Sequence, residues 1–280
     1  MTAPFTTRFA PSPTGLLHRG HAFSALTAYD AARTTNGAFL LRIEDIDTTR
    51  CRPPFEAAIY EDLAWLGLEW EQPVRRQSEH LAQYQAAIDQ LAERRLLYRC
   101  FRTRKEIAQA IASAPHGTME RWRGAALPAQ EETRRLESGE AFAWRLSLDA
   151  ALAQAGPLTF LEEGSGPNGE TGVITARPEL GGDVVLARRD VGVAYHLAVT
   201  LDDALQGVTH VIRGEDLFEA THVQRLLQAL LGLPTPVYRH HRLLMGPDGK
   251  RYAKRDRAQT LAELRAAGVT PQELRAEMGL

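Results

Sequence analysis

The sequence predicts an α/β protein in which a parallel sheet is interrupted by an α+β insertion. Residues 6–10 are predicted as a short strand that runs into a Pro/Ser/Gly turn, and residues 38–43 are an apolar run of strand length; each is followed by a segment in which apolar residues recur at helical spacing. From about Tyr98 the pattern changes to short strands separated by Gly-rich turns. Because strands that alternate with helices form parallel sheets, we expect functional side chains at the carboxyl ends of these strands.

The individual elements follow from periodicity and from capping residues. Helical spacing predicts helices over residues 21–33, 55–66, 81–91 and 221–231, and capping sequences beginning at Thr103 and Thr270 predict two shorter ones. Strands are predicted over residues 6–10, 38–43, 141–148, 158–162, 184–189, 194–200 and 208–213. The domain organisation that follows is a first half of the sheet over residues 1–97, the insertion over 98–190, the second half over 191–237, and a loop with C-terminal helices over 238–280.

Composition restricts the class of protein. The chain has 280 residues, 44% of them hydrophobic, and a formal net charge of -2. This composition is ample for a core and argues against nonspecific nucleic-acid binding. We find neither an apolar run of membrane-spanning length nor a signal-peptide pattern, so a cytoplasmic protein without membrane attachment is expected. The two cysteines cannot form a disulfide framework, and neither is expected to bind metal.

The first motif that carries chemistry lies near the N-terminus. A Pro-Ser-Pro-Thr-Gly turn leads into His18-Arg19-Gly20-His21, at the point where a predicted strand gives way to a helix. Backbone N–H groups and the helix dipole point at a bound anion in this position, and imidazoles can donate to phosphate oxygens. Gly20 would let a nucleotide approach the backbone closely.

A second motif lies near the other end of the chain. Lys250, Arg251, Lys254 and Arg255 follow the turn at residues 246–249 and place several cations on one loop. Such a loop can neutralise the charge that builds up on a triphosphate as pyrophosphate leaves. A charged loop is otherwise a solvated surface, and the pairing with the histidine motif favours the catalytic interpretation.

Together the two motifs resemble the HIGH and KMSKS signatures of class I aminoacyl-tRNA synthetases, which have a Rossmann-type catalytic domain. Residues 8–15, 41–47, 62–68 and 207–214 are similar to the catalytic domain of glutamyl-tRNA synthetases in particular. The resemblance covers nearly the whole chain and is weakest in the insertion, which corresponds to the acceptor-binding region of the family. The loop diverges from KMSKS, with Arg251 in place of the first Lys and Ala253 in place of Ser.

Within this family the chain resembles the stand-alone glutamyl-Q tRNA(Asp) synthetases. Full glutamyl-tRNA synthetases continue into a helical anticodon-binding region, which is not expected here. Val199, four residues after Tyr195, supports this assignment, because glutamyl-tRNA synthetases usually have Asn there. The resemblance implies ATP-dependent activation of glutamate and transfer to the queuosine base in the anticodon arm of tRNA(Asp), by an enzyme that we expect to be a monomer.

The resemblance also implies roles for individual residues. The residues expected to bind glutamate are Arg8, Ser12, Glu44, Tyr195 and Arg213. Those expected to bind ATP are Ala10, Pro11, His18, Gly20, His21, Lys250, Arg251 and Lys254, of which His18, His21 and Lys254 are the catalytic set. Guanidinium groups match the glutamate side-chain carboxylate, Glu44 and Ser12 would hold the α-ammonium, and Mg²⁺ would arrive with the ATP phosphates.

Two features of the insertion and one basic segment remain to be placed. Many relatives hold zinc there with several cysteines, whereas this chain keeps Cys100 alone, so a metal-free insertion packed around Trp122 and Trp144 is expected. Residues 121–123 could stack on an anticodon loop or form a solvated turn with one buried Trp. Residues 239–242 are the expected contact for the RNA backbone.

Three alternative functions remain open. The chain could be a minimal glutamyl-tRNA synthetase that charges the acceptor end, or an ATP-dependent ligase or nucleotidyltransferase with a small-molecule acceptor. It could also be a non-catalytic RNA-binding relic, if the divergent loop has abolished ATP use.

Overall fold

The computed structural model describes residues 4–112, 121–188, 192–245 and 259–280. The strands in these ranges are β1 (Thr6–Phe9), β2 (Ala38–Ile43), β3 (Glu71–Arg76), β4 (Leu97–Cys100), β5 (Ala143–Leu146), β6 (Thr159–Glu162), β7 (Gly172–Thr175), β8 (Val185–Arg188), β9 (Gly192–Val193), β10 (His210–Gly214) and β11 (Val237–His241). The helices are α1 (Arg19–Thr34), α2 (Pro53–Trp65), α3 (Leu81–Glu93), α4 (Arg104–Ala112), α5 (Ala129–Glu137), α6 (Leu148–Ala155), α7 (Tyr195–Leu205), α8 (Phe218–Leu231), α9 (Leu261–Ala266) and α10 (Pro271–Met278).

The strands form three sheets, and two of them build the parallel layer that the sequence predicts. β1, β2 and β3 are parallel, and β10, β11 and β6 are parallel in a second sheet. The Thr209 backbone N–H donates to the Thr6 carbonyl at 2.9 Å, which places the start of β10 beside β1. The carboxyl ends of β1, β2 and β10 therefore meet at one edge.

Residues 98–190 contribute to two different sheets. β5 and β8 join β4 and β9 in an antiparallel sheet, whereas the β6–β7 hairpin joins the second parallel sheet, where Glu162 lies opposite Tyr238 of β11. The hairpin thus brings residues from the middle of the sequence next to residues near its end. The four-segment division of the chain stays a prediction.

One predicted strand is wrong. Residues 194–200 were expected to extend a strand, but α7 begins at Tyr195, and residues 197–203 of this helix are all buried. A helix that is apolar on nearly every side lacks the polar stripe that identifies helical periodicity, so its sequence looks like that of a buried strand. Tyr195 consequently lies on the first turn of a helix.

The C-terminal helices complete the core around α1. Leu261, Leu264, Leu274 and Met278 are buried in the same cluster as the apolar face of α1. The Leu261 backbone N–H donates to the Leu17 carbonyl at 2.8 Å, and His18 forms an isolated bridge with Thr260. Residues 259–280 are therefore anchored directly beside the histidine motif.

Thr270→Ala should lower the free energy of unfolding by about 1 kcal/mol. Thr270 is the N-cap of α10: its hydroxyl accepts from the Glu273 N–H, while the Glu273 carboxylate accepts from the Thr270 N–H at 2.8 Å. Urea denaturation measures the change. Thr34→Ala is the control, because the Thr34 hydroxyl only donates back to a carbonyl of its own helix; an equal loss in both variants would contradict the capping role.

The insertion packs its aromatic side chains as expected. Trp122 lies against Tyr98, Cys100 and Ile107 in a small cluster, and Trp144 packs against the larger core that includes α3 and α8. Cys100 is a buried member of the first cluster. Within the described ranges no group of three or more His, Cys, Asp and Glu side chains is placed to hold a metal ion, and the metal-free insertion stays a prediction.

Candidate active site

A cavity of about 490 Å³ opens at the shared edge of the parallel strands. It lies at the carboxyl ends of β1, β2 and β10 and at the start of α1. The predicted residues that line it are Arg8, Ala10, Pro11, Ser12, His18, Gly20, His21, Glu44, Tyr195 and Arg213. Every predicted site residue in the described part of the chain thus borders one cavity, and their individual roles remain proposals. Lys250, Arg251 and Lys254 lie outside the described residues.

The histidine motif caps α1 with its own side chains. His18 is the N-cap, its Nδ1 accepts from the Gly20 N–H at 3.1 Å, and the His21 Nδ1 accepts from the His18 N–H at 3.1 Å. Because both Nδ1 atoms are acceptors, each neutral ring carries its proton on Nε2. The two rings, 3.8 Å apart between centroids, can therefore present N–H donors at a helix N-terminus that already favours anions.

A buried ion cluster holds two of the residues that line the cavity, Arg8 and Glu44. Asp203 accepts from Arg8 Nε at 3.0 Å and from Arg42 Nη1 at 2.8 Å, and Arg42 Nη2 donates to Glu44 at 3.2 Å. The Arg42 side chain is fully buried. Arg8 therefore lines the cavity with Nε and Nη2 already donating to Asp203, and Nη1 is the nitrogen that would contact a ligand.

The second guanidinium at the cavity is bound by neutral groups. Among the described residues, Arg213 Nε donates to His240 Nε2 at 3.1 Å and Nη2 donates to the Thr221 hydroxyl at 2.7 Å and to Gln224 Oε1 at 2.9 Å. Nη1 donates to the Tyr195 hydroxyl over a longer 3.5 Å. Arg213 thus presents a positive charge to the cavity beside a phenol, which suits a ligand carboxylate.

Burial shifts the pKa of two further cavity groups. Burial raises the pKa of Glu44 and outweighs the opposing effect of Arg42 and Arg8. Burial likewise raises the pKa of Tyr195, so its hydroxyl keeps its proton as a donor. A ligand ammonium beside Glu44 would favour its ionised form and would itself be favoured there.

The supporting roles of several buried residues are not indicated by the sequence motifs. Asp203 and Arg42 hold Arg8 and Glu44, while His240 and Glu162 lie behind Arg213. The adjacent acidic pair at positions 202 and 203, within an otherwise apolar stretch, is the one local signal that could have indicated buried carboxylates. Val199, which the sequence analysis singled out, lines the cavity and is 2% exposed.

A second cavity of about 830 Å³ adjoins the first and shares Ser12, Thr14, Glu44 and Tyr195 with it. It runs between the parallel strands and the insertion. Its arginines are Arg50, Arg102, Arg104, Arg145 and Arg188, and its aromatic walls include Phe101 and Phe142. Cations and aromatic rings are the groups that bind single-stranded nucleic acid, and of these two rings Phe101 is 9% exposed.

The RNA contact expected at residues 239–242 is wrong for His240, and the two arginines of the segment already have partners in the protein. His240 is 2% exposed, Arg239 pairs with Glu163 at 2.6 Å, and Arg242 donates to the Met278 carbonyl. Alternation along β11 turns His240 into the core, so these residues cannot act together as a surface patch.

The solvated-turn alternative fits residues 121–123 better than stacking on RNA. Trp122 Nε1 donates to the Tyr98 hydroxyl at 3.0 Å and its ring belongs to the small aromatic cluster. Arg121 and Arg123 form ion pairs with Glu219 and Asp149. The Trp122 ring is therefore used for packing.

His196 should make stability depend on pH. Burial, with a smaller effect of Arg213, lowers its pKa from 6.5 to about 4, and its Nδ1 is buried without a hydrogen-bond partner among the described residues. The unfolded chain therefore binds a proton between these values that the folded chain does not. Stability is full above pH 6.5 and falls as the pH drops towards 4, by roughly 2 to 3 kcal/mol for this group.

Urea denaturation of wild type and His196→Leu at pH 7 and pH 4.5 isolates this effect, because the other titrating groups are common to both proteins. The wild type should lose more stability on acidification than the variant does. Equal losses would show that His196 does not carry the expected proton linkage.

Comparisons with known proteins place the fold in one class. The family model described as tRNA synthetases class I (E and Q), catalytic domain, matches residues 4–280. The chain belongs to this family. No helix in the described ranges is long and apolar enough to cross a membrane.

Individual relatives point to one member of the class. The chain is 49% identical to the glutamyl-Q tRNA(Asp) synthetase of Rhodobacter capsulatus, over 98% of this chain and 99% of that protein. It is 42% identical to the protein of the same name from Symbiobacterium thermophilum, over 95% of this chain and 82% of that one. A crystal structure of a glutamate tRNA ligase from Elizabethkingia meningosepticum with its amino acid is similar at TM-score 0.75 and 30% identity, covering 91% of this chain and 53% of that chain.

Proposed function

We propose that the chain activates glutamate with ATP and transfers the glutamyl group to the queuosine base in the anticodon of tRNA(Asp). The observation that carries the proposal is the single cavity that joins Arg213, Tyr195 and Glu44 to the histidine-capped start of α1. One end suits an amino acid with a side-chain carboxylate, and the other suits phosphate. The relatives named glutamyl-Q tRNA(Asp) synthetase support the choice of substrate and acceptor.

In the proposed first step the glutamate α-carboxylate attacks the α-phosphorus of ATP and pyrophosphate leaves. His18 and His21 donate through Nε2 to phosphate oxygens, and Lys254 from the second motif neutralises charge on the departing group. Arg213 and Tyr195 hold the γ-carboxylate while Glu44 holds the α-ammonium, so the reacting carboxylate is oriented by both ends of the substrate. Mg²⁺ would be bound through the ATP phosphates, and no residue of the chain is assigned to it.

In the proposed second step a hydroxyl of the queuosine cyclopentene ring attacks the carbonyl of glutamyl-adenylate. An ester forms and AMP leaves. The acceptor would enter through the second cavity, whose arginines and phenylalanines suit an unstacked base and its backbone, and which reaches the first cavity at Glu44 and Tyr195. We further propose that the enzyme acts as a monomer in the cytoplasm.

Glutamate-dependent exchange of pyrophosphate into ATP tests the first step. The proposal expects exchange with glutamate and at least about 100-fold less with glutamine, because an uncharged carboxamide forfeits a charge-assisted hydrogen bond to Arg213. No exchange with any amino acid would favour the RNA-binding relic. Exchange followed by AMP release with a small-molecule acceptor, independent of tRNA, would favour the ligase alternative.

Periodate treatment tests the acceptor. Oxidation of the queuosine diol, with the terminal ribose of the tRNA protected, should abolish glutamyl transfer. Undiminished transfer after this treatment would favour the minimal glutamyl-tRNA synthetase, which charges the acceptor end.

A further inference from the structure

Arg213 is held on the side away from the cavity by a chain of buried polar groups. Its Nε donates to His240 Nε2 at 3.1 Å, and His240 Nδ1 lies 2.6 Å from Glu162 Oε2. The side chains of His240 and Glu162 are both 0% exposed. Neither residue borders the cavity, and Arg213 is the cavity residue to which the His240 ring is hydrogen-bonded.

The donor rules fix the protonation of the ring. Arginine can only donate, so His240 Nε2 must be the bare acceptor and the ring proton must lie on Nδ1, facing Glu162. The other Glu162 oxygen accepts from the backbone N–H groups of His240 and Gly164, each at 2.8 Å. Glu162 therefore selects the His240 tautomer whose Nε2 can accept a hydrogen bond from Arg213 Nε.

The protonation states support this arrangement. Burial lowers the pKa of His240, even though Glu162 acts in the opposite direction, and Arg213 and His241 lower it further, so the ring stays neutral. Burial alone would raise the pKa of Glu162, but the hydrogen bonds from the His240 ring and backbone and from Gly164 outweigh it and lower the pKa. A neutral histidine thus connects an anion to a cation.

The backbone is built for this close approach. A Cβ at Gly164 would lie 2.1 Å from the His240 carbonyl oxygen and 2.7 Å from the His240 nitrogen. Only glycine lets the turn after β6 reach β11 at this point. The contact between residues 162–164 and His240 is therefore a defined junction of the two strands.

Arg213 differs from Arg8 in how its charge is balanced. Arg8 donates to the Asp203 carboxylate, whereas the acceptors of Arg213 in the described part of the chain are neutral, and Glu162 lies one ring further away. With Nε and Nη2 bound to the protein, Nη1 is directed at the Tyr195 hydroxyl on the cavity wall.

We propose that Glu162 and His240 are positioning residues that lock Arg213 with Nη1 towards the cavity, and that this lock sets the preference for a carboxylate over a carboxamide side chain. The inference rests on the proposed function, since it concerns the glutamate end of the same cavity. Donors held by Arg213 and Tyr195 match carboxylate oxygens but oppose the N–H₂ of a carboxamide.

Single substitutions in the full-length chain test the lock. Each variant is assayed by amino-acid-dependent pyrophosphate exchange. H240L should raise KM for glutamate about 10- to 100-fold, as expected for one lost hydrogen bond to a charged group, while KM for ATP changes less than about 2-fold. H240Q should recover part of the loss, because its side-chain oxygen can replace Nε2. E162Q should lower the preference for glutamate over glutamine in pyrophosphate exchange. Its amide can donate to His240 Nδ1, which would move the ring proton to Nε2.

Q228M is the matched control. Gln228 is buried on α8 beside the same strand and donates to the Tyr238 hydroxyl at 2.8 Å without contacting Arg213. A purely structural role for His240 predicts that H240L and Q228M change KM for glutamate equally, and that outcome would overturn the proposal. Circular dichroism on each variant confirms that the folded protein is assayed.

Nitrogen-15 NMR of histidine-labelled protein reports the tautomer of His240 without any substrate. The expected spectrum has His240 protonated on Nδ1 and bare on Nε2, and E162Q loses this pattern. A proton on Nε2 in the unmodified protein would overturn the lock. Absence of exchange in the unmodified protein would instead overturn the proposed function together with the substrate preference, while the NMR result would still decide the tautomer.

Discussion

Arg213→Gln is expected to lower kcat/KM for glutamate at least about 10³-fold in pyrophosphate exchange, because the cavity loses the cation that would pair with the γ-carboxylate. The glutamine side chain introduced at position 213 places an amide near Thr221 and Gln224, but it lacks the charge and the paired N–H donors of a guanidinium group. KM for ATP should change little, since His18 and His21 lie at the other end of the cavity.

Two further variants show whether that loss comes from the charge and donor geometry of Arg213. Arg213→Lys retains the charge but not the planar donors, and should recover only part of the activity. Arg134→Gln is the control, because Arg134 is 73% exposed in the insertion, and exposed changes of this kind have small effects. If Arg213→Gln retained activity close to that of Arg134→Gln, the glutamate site would lie elsewhere.

Asp203→Asn should lower the free energy of unfolding by about 3 to 5 kcal/mol. Asp203 accepts from two buried guanidinium groups, at 3.0 Å from Arg8 and 2.8 Å from Arg42. The variant leaves these cations with less negative charge and turns an amide N–H₂ towards donors. Chemical denaturation measures the loss, and pyrophosphate exchange under folding conditions should show weaker glutamate activation as well, since Arg8 and Glu44 depend on the same cluster.

Asp203 also explains why acid should weaken this cluster. Burial would raise its pKa, but Arg8 and Arg42 outweigh burial and lower it. The stabilisation is therefore present above the unfolded pKa of 3.8 and is lost as the pH falls through the lower folded value. Asp89→Asn is the control, because Asp89 is an exposed acceptor for Gln85; a loss of stability in Asp203→Asn no larger than in this control would contradict the buried cluster.

Two strands of the first sheet, β1 and β2, could be predicted because their signals are local, whereas β3 has a mostly polar sequence and was not predicted as a strand. β2 has the bounds that its apolar run indicates, and α1 begins at Arg19, two residues before the predicted start, with His18 as its N-cap. The resemblance to glutamyl-tRNA synthetases assigned Arg8, Glu44 and Arg213 to one site, and the parallel strands bring them to one edge, where all three line the same cavity. The resemblance and the predicted topology therefore agree on these residues.

The supporting residues could not be predicted in the same way. Asp203 is 195 residues from Arg8, and Glu162 is 78 residues from His240, so no spacing in the sequence connects them. The error at residues 194–200 has a related cause, since a helix buried on most sides lacks an amphipathic pattern. Tertiary packing also turned His240 inward, away from the RNA contact assigned to its segment.

Acceptor specificity tests the central claim most directly. The protein is incubated with ATP, Mg²⁺ and labelled glutamate, together with tRNA from matched cells that either contain or lack queuosine. The account predicts that label appears on queuosine-containing tRNA(Asp) and on no tRNA from the queuosine-free cells. Equal labelling of glutamate tRNA in both preparations would contradict it and would identify a conventional glutamyl-tRNA synthetase activity.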